Sequence, residues 1–175
     1  MRIQTPAGKF IIREAIEKDL PSLVHVHVTS WNATYANYHP KPSVELRTRQ
    51  WQEAFAINRD NWFCYVAEKE GGSIAGFATG NDFNDPSLPY KGQLNKIHFL
   101  KTYHRLGLGK KLVGIVAERF LRNGIRTMIL FADPENPNIV FYEKLGGEKI
   151  YDDAGKFHGA FGWIDIEPLV ELCKR

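Results

Sequence analysis

A chain of 175 residues, 43% hydrophobic and 25% charged, is long enough for one ordinary domain with a real core, and it matches neither a disordered segment nor a fibrous repeat. Its formal net charge of +3 comes without a long run of like charges, which gives no basis for a nucleic-acid partner. Its two cysteines, Cys64 and Cys173, make neither a disulfide framework nor a metal-ligand spacing. No apolar run approaches the roughly 18 residues of a membrane span. The opening MRIQTPAGKFIIREAI lacks an apolar core followed by a cleavage signal, so a cytoplasmic protein with reduced thiols is expected.

Along the chain, FIIREAI (10–16) predicts a first strand. A helix follows, with Asp19 as its cap, Pro21 in its first turn, and Leu20, Leu23, Val24, His27 and Trp31 at helical spacing. Aromatics and prolines in 31–42 predict a loop, and a second helix is expected over Ser43 to Asn58 with Val44, Arg47, Trp51 and Phe55 along one stripe. WFCYVAEK and SIAGFATG predict a hairpin across Gly71–Gly72. A polar loop leads to the strand QLNKIHFL. Residues 108–122 predict a helix whose apolar face is Leu108, Leu112, Val113, Val116, Ala117, Phe120 and Leu121. TMILFAD reads as an interior strand, NPNIVFYEKLGG as a short helix stopped at Gly146, EKIYDD and KFHGAFGWIDI as closing strands, and a short helix follows Pro168. The alternation points to a single α/β domain over 1–175, with a mixed central sheet of about six or seven strands flanked by helices.

The most informative stretch is HFLKTYHRLGLGKKLVG, residues 98–114. Lys110 and Lys111 stand in the first turn of a helix, where the dipole disfavours cations. A bound anion accounts for them: the first N–H groups of a helix lack intrahelical partners, and glycines at 107 and 109 let an anion approach the backbone. A dinucleotide fingerprint needs a third glycine where Leu112 stands, and a P-loop needs glycine at His104 and Ser or Thr at Lys111. An ordinary tight turn with solvated lysines is the other reading of these residues alone.

HRLGLGKKLV, followed about thirty residues later by NPNIVFYEKLGG, resembles the GNAT superfamily of N-acetyltransferases. The first segment is similar to that family's pyrophosphate loop and the second to its N-x…F-Y-E-K-L-G helix. The likeness runs from about Phe10 to about Leu169. The resemblance implies a GNAT fold, acetyl-CoA as donor and a primary amine of a small molecule as acceptor, with direct transfer through a tetrahedral intermediate. It places the pyrophosphate on the backbone of His104, Arg105, Leu106, Gly107, Leu108, Gly109 and Lys110. The pantetheine arm would pair with main chain at Ile97, His98 and Phe99, an N–H near Phe99 would polarise the thioester carbonyl, and Asn136 would touch the arm. Tyr142 would lie near the sulfur and act as general acid. The family also makes a homodimer an expectation by analogy.

Two positions depart from the pattern. His104 stands where the family usually has Gln or Arg, and Gln93 stands where some members carry a glutamate base. Gln cannot take a proton from an amine, so the base is open between a water chain, an acceptor that arrives neutral, and side chains such as Asp82, Asp85 or His98. Each of these side chains also reads as a turn or packing residue. Trp31 and Tyr35, with Tyr38 and His39, offer aromatic walls for the acceptor, while Trp31 and Tyr35 also fit helix-core positions. No metal spacing is present, and His25 and His27, two apart on a helix, point to different faces. A GNAT fold that binds CoA as a weakly catalytic sensor or partner module is the alternative, and Gln93 is its support.

Overall fold

The computed structural model describes residues 1–57 and 60–175. Its strands are β1 (Arg2–Thr5), β2 (Gly8–Glu14), β3 (Trp62–Lys69), β4 (Ile74–Asp82), β5 (Gly92–Phe99), β6 (Met128–Phe131), β7 (Glu148–Tyr151) and β8 (Phe157–Trp163). Its helices are α1 (Leu20–Thr34), α2 (Val44–Phe55), α3 (Leu108–Arg122), α4 (Val140–Lys144) and α5 (Glu167–Lys174). The strands form one mixed sheet in the order β1-β2-β3-β4-β5-β6-β8-β7. Neighbours β1/β2, β2/β3, β6/β8 and β7/β8 are antiparallel, and β5/β6 is parallel.

The sheet has eight strands, against the expected six or seven. The extra one is β1, which forms a hairpin with β2 from Arg2↔Ile11 to Thr5↔Gly8. Its turn is held by the Thr5 hydroxyl, which donates to the Gly8 carbonyl at 3.0 Å and accepts the Ala7 N–H at 3.1 Å. The hairpin also sets the first predicted strand two residues earlier than expected.

Two compact units make up the chain: 1–79 with 96–112, and 80–95 with 113–175. In the first, strand alternation puts Trp62, Cys64 and Val66 on one face of β3. They pack with Leu23, Val24 and Val26 of α1, Trp51 and Phe55 of α2, and Phe77 of β4. A second cluster gathers Phe10, Ala75 and Leu108, with Phe99, Tyr103 and Leu106 against it. In the second unit, Met128, Ile129 and Phe161 are fully buried, and the Trp163 indole N–H donates to the Leu145 carbonyl at 3.0 Å.

Local departures from the sequence reading have physical causes. Asp19 does not cap α1 with its side chain. Its carboxylate instead accepts both terminal nitrogens of Arg13, at 2.7 and 2.8 Å, and the Ile16 N–H at 2.9 Å. These bonds hold the carboxyl below its ordinary range, the Arg13 hydrogen bond first, against the opposing cost of burial. Arg13 also donates to Glu68, so a partly buried three-residue network fastens β2, β3 and the entry to α1. Helix α1 runs to Thr34, four residues into the segment expected as loop. Helix α2 begins as predicted, with the Ser43 hydroxyl accepting the Leu46 N–H at 3.1 Å, and its last assigned residue is Phe55. The expected end at Asn58 lies outside the described residues. Helix α3 has the predicted bounds and buries Leu108, Leu112, Val113, Val116, Ala117 and Phe120 to 1% exposure or less. Among the described residues no helix is long and apolar enough to cross a membrane.

Candidate active site

The loop before α3 begins with a short 3-10 turn over Lys101–Tyr103. The His104 ring then donates from Nε2 to the Phe99 carbonyl at 3.1 Å, closing the segment back onto the end of β5. Arg105 follows at φ 63° and Gly107 at φ 78°. A non-glycine residue in the left-handed region is uncommon and strained, and such outliers concentrate at ligand-binding turns. Left-handed residues in a turn can turn successive N–H groups toward one concavity, which suits an anion. A Cβ built on Gly107 would meet no heavy atom within 4 Å, so the loop is open on that side. The first helical bond is from the Lys111 N–H to the Gly107 carbonyl at 3.2 Å. The N–H groups of Leu108, Gly109 and Lys110 precede it in the first turn, where a helix offers its N–H groups no intrahelical acceptor. His104, Arg105 and Gly107 are exposed, and Gly109 and Lys110 half-buried.

Upstream, the parallel ladder of β5 with β6 consists of Gly92↔Met128 and Gln93↔Ile129. Around Phe99, the carbonyl is taken by His104, and the next N–H, that of Leu100, is given to the Ala75 carbonyl at 2.9 Å.

The His98 side chain turns toward α1. Its Nδ1 lies 2.9 Å from the Ser30 hydroxyl, which is itself 3.3 Å from the His27 carbonyl. A carbonyl only accepts, so the single Ser30 proton goes either to it or to His98 Nδ1, and the imidazole completes the bond in the matching tautomer. The Trp51 indole N–H donates to His27 Nδ1 at 3.2 Å. The two imidazole centroids are 4.7 Å apart, with Phe77 packed on both. Burial pushes His27 down to about 2 and His98 down to about 4, helped by the nearby charges of Arg47 and Lys96. Both rings are neutral near pH 7. His25, two residues from His27, is exposed, as helical geometry requires.

Trp31 is half-buried, and its ring lies 5.0 Å from that of Tyr35 and 5.4 Å from that of Tyr38. The Arg47 guanidinium stands 6.0 Å over Trp31. This aromatic group is thus a partly open surface rather than helix core.

Three expected residues belong to the second unit. Tyr142 is buried on α4, with ring centroids 5.4 Å from Phe141 and 5.6 Å from Phe161. Asn136 accepts the Asn138 N–H at 2.9 Å in the turn before α4. Gln93 accepts from the Asn81 amide at 3.3 Å. Asp85 accepts both the N–H and the hydroxyl of Ser87, the pattern of a turn residue. Among the described residues, no group of His, Cys, Asp and Glu could hold a metal ion. Sequence reasoning missed Ser30 and Lys96, and placed Arg47 only as a member of a helix stripe. A charged residue on an otherwise apolar stripe was the available signal.

A family model described as Acetyltransferase (GNAT) family matches residues 20–147. The chain belongs to the GNAT acetyltransferase family. It is accordingly an acyltransferase that uses acetyl-CoA as donor. This acetyltransferase is 29% identical over 171 residues to an uncharacterized N-acetyltransferase, YuaI, of Bacillus subtilis, with 94% of this chain and 98% of that one covered. Its fold is similar to that of the PaiA N-acetyltransferase of Thermoplasma acidophilum, solved in complex with coenzyme A. The TM-score is 0.71 at 19% identity, over 87% of this chain and 97% of that one. An acetyltransferase of Thermus thermophilus gives a TM-score of 0.69 at 17% identity, over 93% and 99% of the two chains.

Proposed function

We propose that this chain is a single catalytic domain that moves the acetyl group of acetyl-CoA directly to a primary amine of a small molecule. The observation that carries the reading is the loop from His104 to Lys110, with Arg105 and Gly107 in the left-handed region at the mouth of α3. Its open backbone fits a pyrophosphate. The main chain of Ile97, His98 and Phe99 would hold the pantetheine arm, with Asn136 as a further contact. Acetyl-CoA supplies the activated acetyl thioester. The N–H of Phe99 would face the thioester carbonyl and stabilise negative charge on its oxygen.

Tyr142 is proposed to hold a proton at its hydroxyl and give it to the departing sulfur. A phenol of pKa about 10 can donate to a thiolate of pKa about 8.5 when it is positioned for the transfer. Gln93 has no basic atom, so an ammonium acceptor gives its first proton to water or the amine arrives neutral. As the C–N bond forms and the C–S bond breaks, the nitrogen sheds one further proton through solvent, and that proton restores the Tyr142 phenol. The partly open aromatic group of Trp31 and Tyr35 is the proposed wall of the acceptor site.

Calorimetric titration with acetyl-CoA, followed by thiol release across an amine panel, tests the reading. Micromolar binding and turnover are expected. Binding without turnover on any amine would instead favour a CoA-sensing module. Gly109→Trp is expected to weaken acetyl-CoA binding by about a hundredfold or more, because it fills the approach to the first-turn N–H groups. Normal affinity in the folded variant would remove the loop from the site. Tyr142→Phe should lower kcat by roughly 10²–10⁴ while the acetyl-CoA Kd stays within about twofold. An unchanged kcat would remove Tyr142 from the acid role.

A further inference from the structure

The β5 face beside α1 and α2 carries two cations, Lys96 and Arg47, that form no ion pair among the described residues. Lys96 and His98 are two apart on β5 and share a face by strand alternation. Arg47 reaches the same region from α2, over the Trp31 ring. Both cations are half-buried, and among the described residues no carboxylate lies within ion-pair distance of either. Arg47 gives one nitrogen to the Gln50 side chain at 2.9 Å, while its Nε is buried with no partner. The hydroxyl of Thr79 is likewise buried without a partner, at 1% exposure of its residue, and by alternation it shares the β4 face of Phe77, which packs on His98.

A buried charge is costly unless it is paired, and removing two cations from water without a counter-charge is rarely kept for packing alone. The cost shows in the groups themselves. Burial pushes both Lys96 and Arg47 below their ordinary values, and Arg47 adds to the effect on Lys96. The two imidazoles near them are neutral and offer no relief. The region carries a local charge of +2 from these two side chains, with a forked donor, a point cation, and neutral imidazole and hydroxyl groups beside them.

We infer that this face binds a carboxylate carried by the acceptor, so that the substrate is an amino acid or similar amine with its own acid group rather than a polyamine. The inference rests on the proposed function, because it takes Trp31 and Tyr35 as the acceptor wall. Arg47 presents the planar fork that matches a carboxylate, and Lys96 supplies a second cation. A polyamine brings only positive charge to the same place and is repelled.

The test is thiol release and thermal-shift binding with a panel of α- and ω-amino acids, each beside its primary carboxamide, and with spermidine. At least one acid should bind and react about tenfold or more better than its amide, with spermidine worse than either. Arg47→Gln and Lys96→Gln should each raise KM for the acid and shrink the acid-to-amide ratio, while acetyl-CoA affinity stays unchanged. Arg47→Lys should recover part of the ratio, which a purely structural role for Arg47 would not do. Equal handling of acids and amides, a preference for spermidine, or ratios untouched in folded variants would overturn the inference. The acetyl-CoA titration separates the two readings: intact donor binding with no acid preference sinks this inference alone, and absent donor binding sinks the enzymatic reading. Acid-selective thermal shifts lost in Arg47→Gln would still support the anion site in that second case.

Discussion

Between about pH 7 and pH 5 the folded protein should lose about 3 kcal/mol of stability, which for a chain of this size lowers Tm by about 6–12 °C. The cause is the pair of imidazoles beneath β5. His27 and His98 are pushed down to about 2 and about 4 in the fold, from 6.5. Below about pH 6.5 the unfolded chain therefore binds protons that the native chain refuses, and stability falls with pH. It is fully present above the unfolded value and is lost progressively on acidification. By pH 5, His27 alone accounts for about 2 kcal/mol, and His98, which keeps some solvent access, for about 1. The charges that face them, Arg47 from α2 and Lys96 from β5, make protonation harder still. Asp19, held below its ordinary range by Arg13, gives stability that is present above about pH 4 and lost only below it, so the two effects occupy different windows. Melting curves from pH 7.5 to 4.5 read the slope, and His27→Gln should remove more than half of it. A Tm that stays flat to pH 5 would mean that these rings take up protons freely in the fold.

Gly159→Ala is expected to cost about 4 kcal/mol or more, enough to lower Tm by at least about 8 °C. Gly159 lies in β8 at φ 94°, a backbone conformation that side chains disfavour. A Cβ there would sit 1.8 Å from the Ala132 carbonyl oxygen and 2.8 Å from its carbon. Those atoms are backbone, and Ala132 is already tied to this point by its N–H bond to the Gly159 carbonyl at 2.9 Å. Neither side can yield without breaking the end of the β6/β8 ladder at Phe131↔Ala160. Gly155 makes the control. It also has a left-handed φ, 75°, but open space around its Cβ position, so Gly155→Ala should cost only about 1 kcal/mol. Equal, small losses in the two variants would show that β8 tolerates a side chain at this contact.

Much of the fold was legible because its signals are local. The stripe from Leu108 to Phe120 repeats at helical period over several turns, and the glycines before it punctuate the strand-to-helix turn, so α3 and its loop were placed to the residue. β1 was missed for the converse reason. It has four residues with only Ile3 apolar, and it is a strand because β2 pairs with it. Asp19 looked like a helix cap because capping residues are recognised by their neighbours, whereas its partner Arg13 arrives from β2. The basic group beneath β5 is assembled from His27, Ser30, Arg47, Lys96 and His98, drawn from α1, α2 and β5. No local period links these positions, and only the fold brings them together. His98 was legible as a residue of the strand but not as a side chain committed to Ser30, since a strand position alone does not say which face it uses.

The two thiols lie one in each compact unit. Cys64 is fully buried in β3, and Cys173, at 3% exposure, lies on α5 against α3, where a Cβ on Gly114 would come within 2.4 Å of the Cys173 Cβ. Neither is in a disulfide. A sequestered sulfur reacts with an alkylating reagent only when its surroundings open, so each reports the breathing of its own part of the molecule. The protein thus carries two internal clocks. Matching reaction rates would mean that the chain opens as one cooperative body, and a faster Cys173 would mean that its carboxy-terminal helix peels away while the β3 core stays shut.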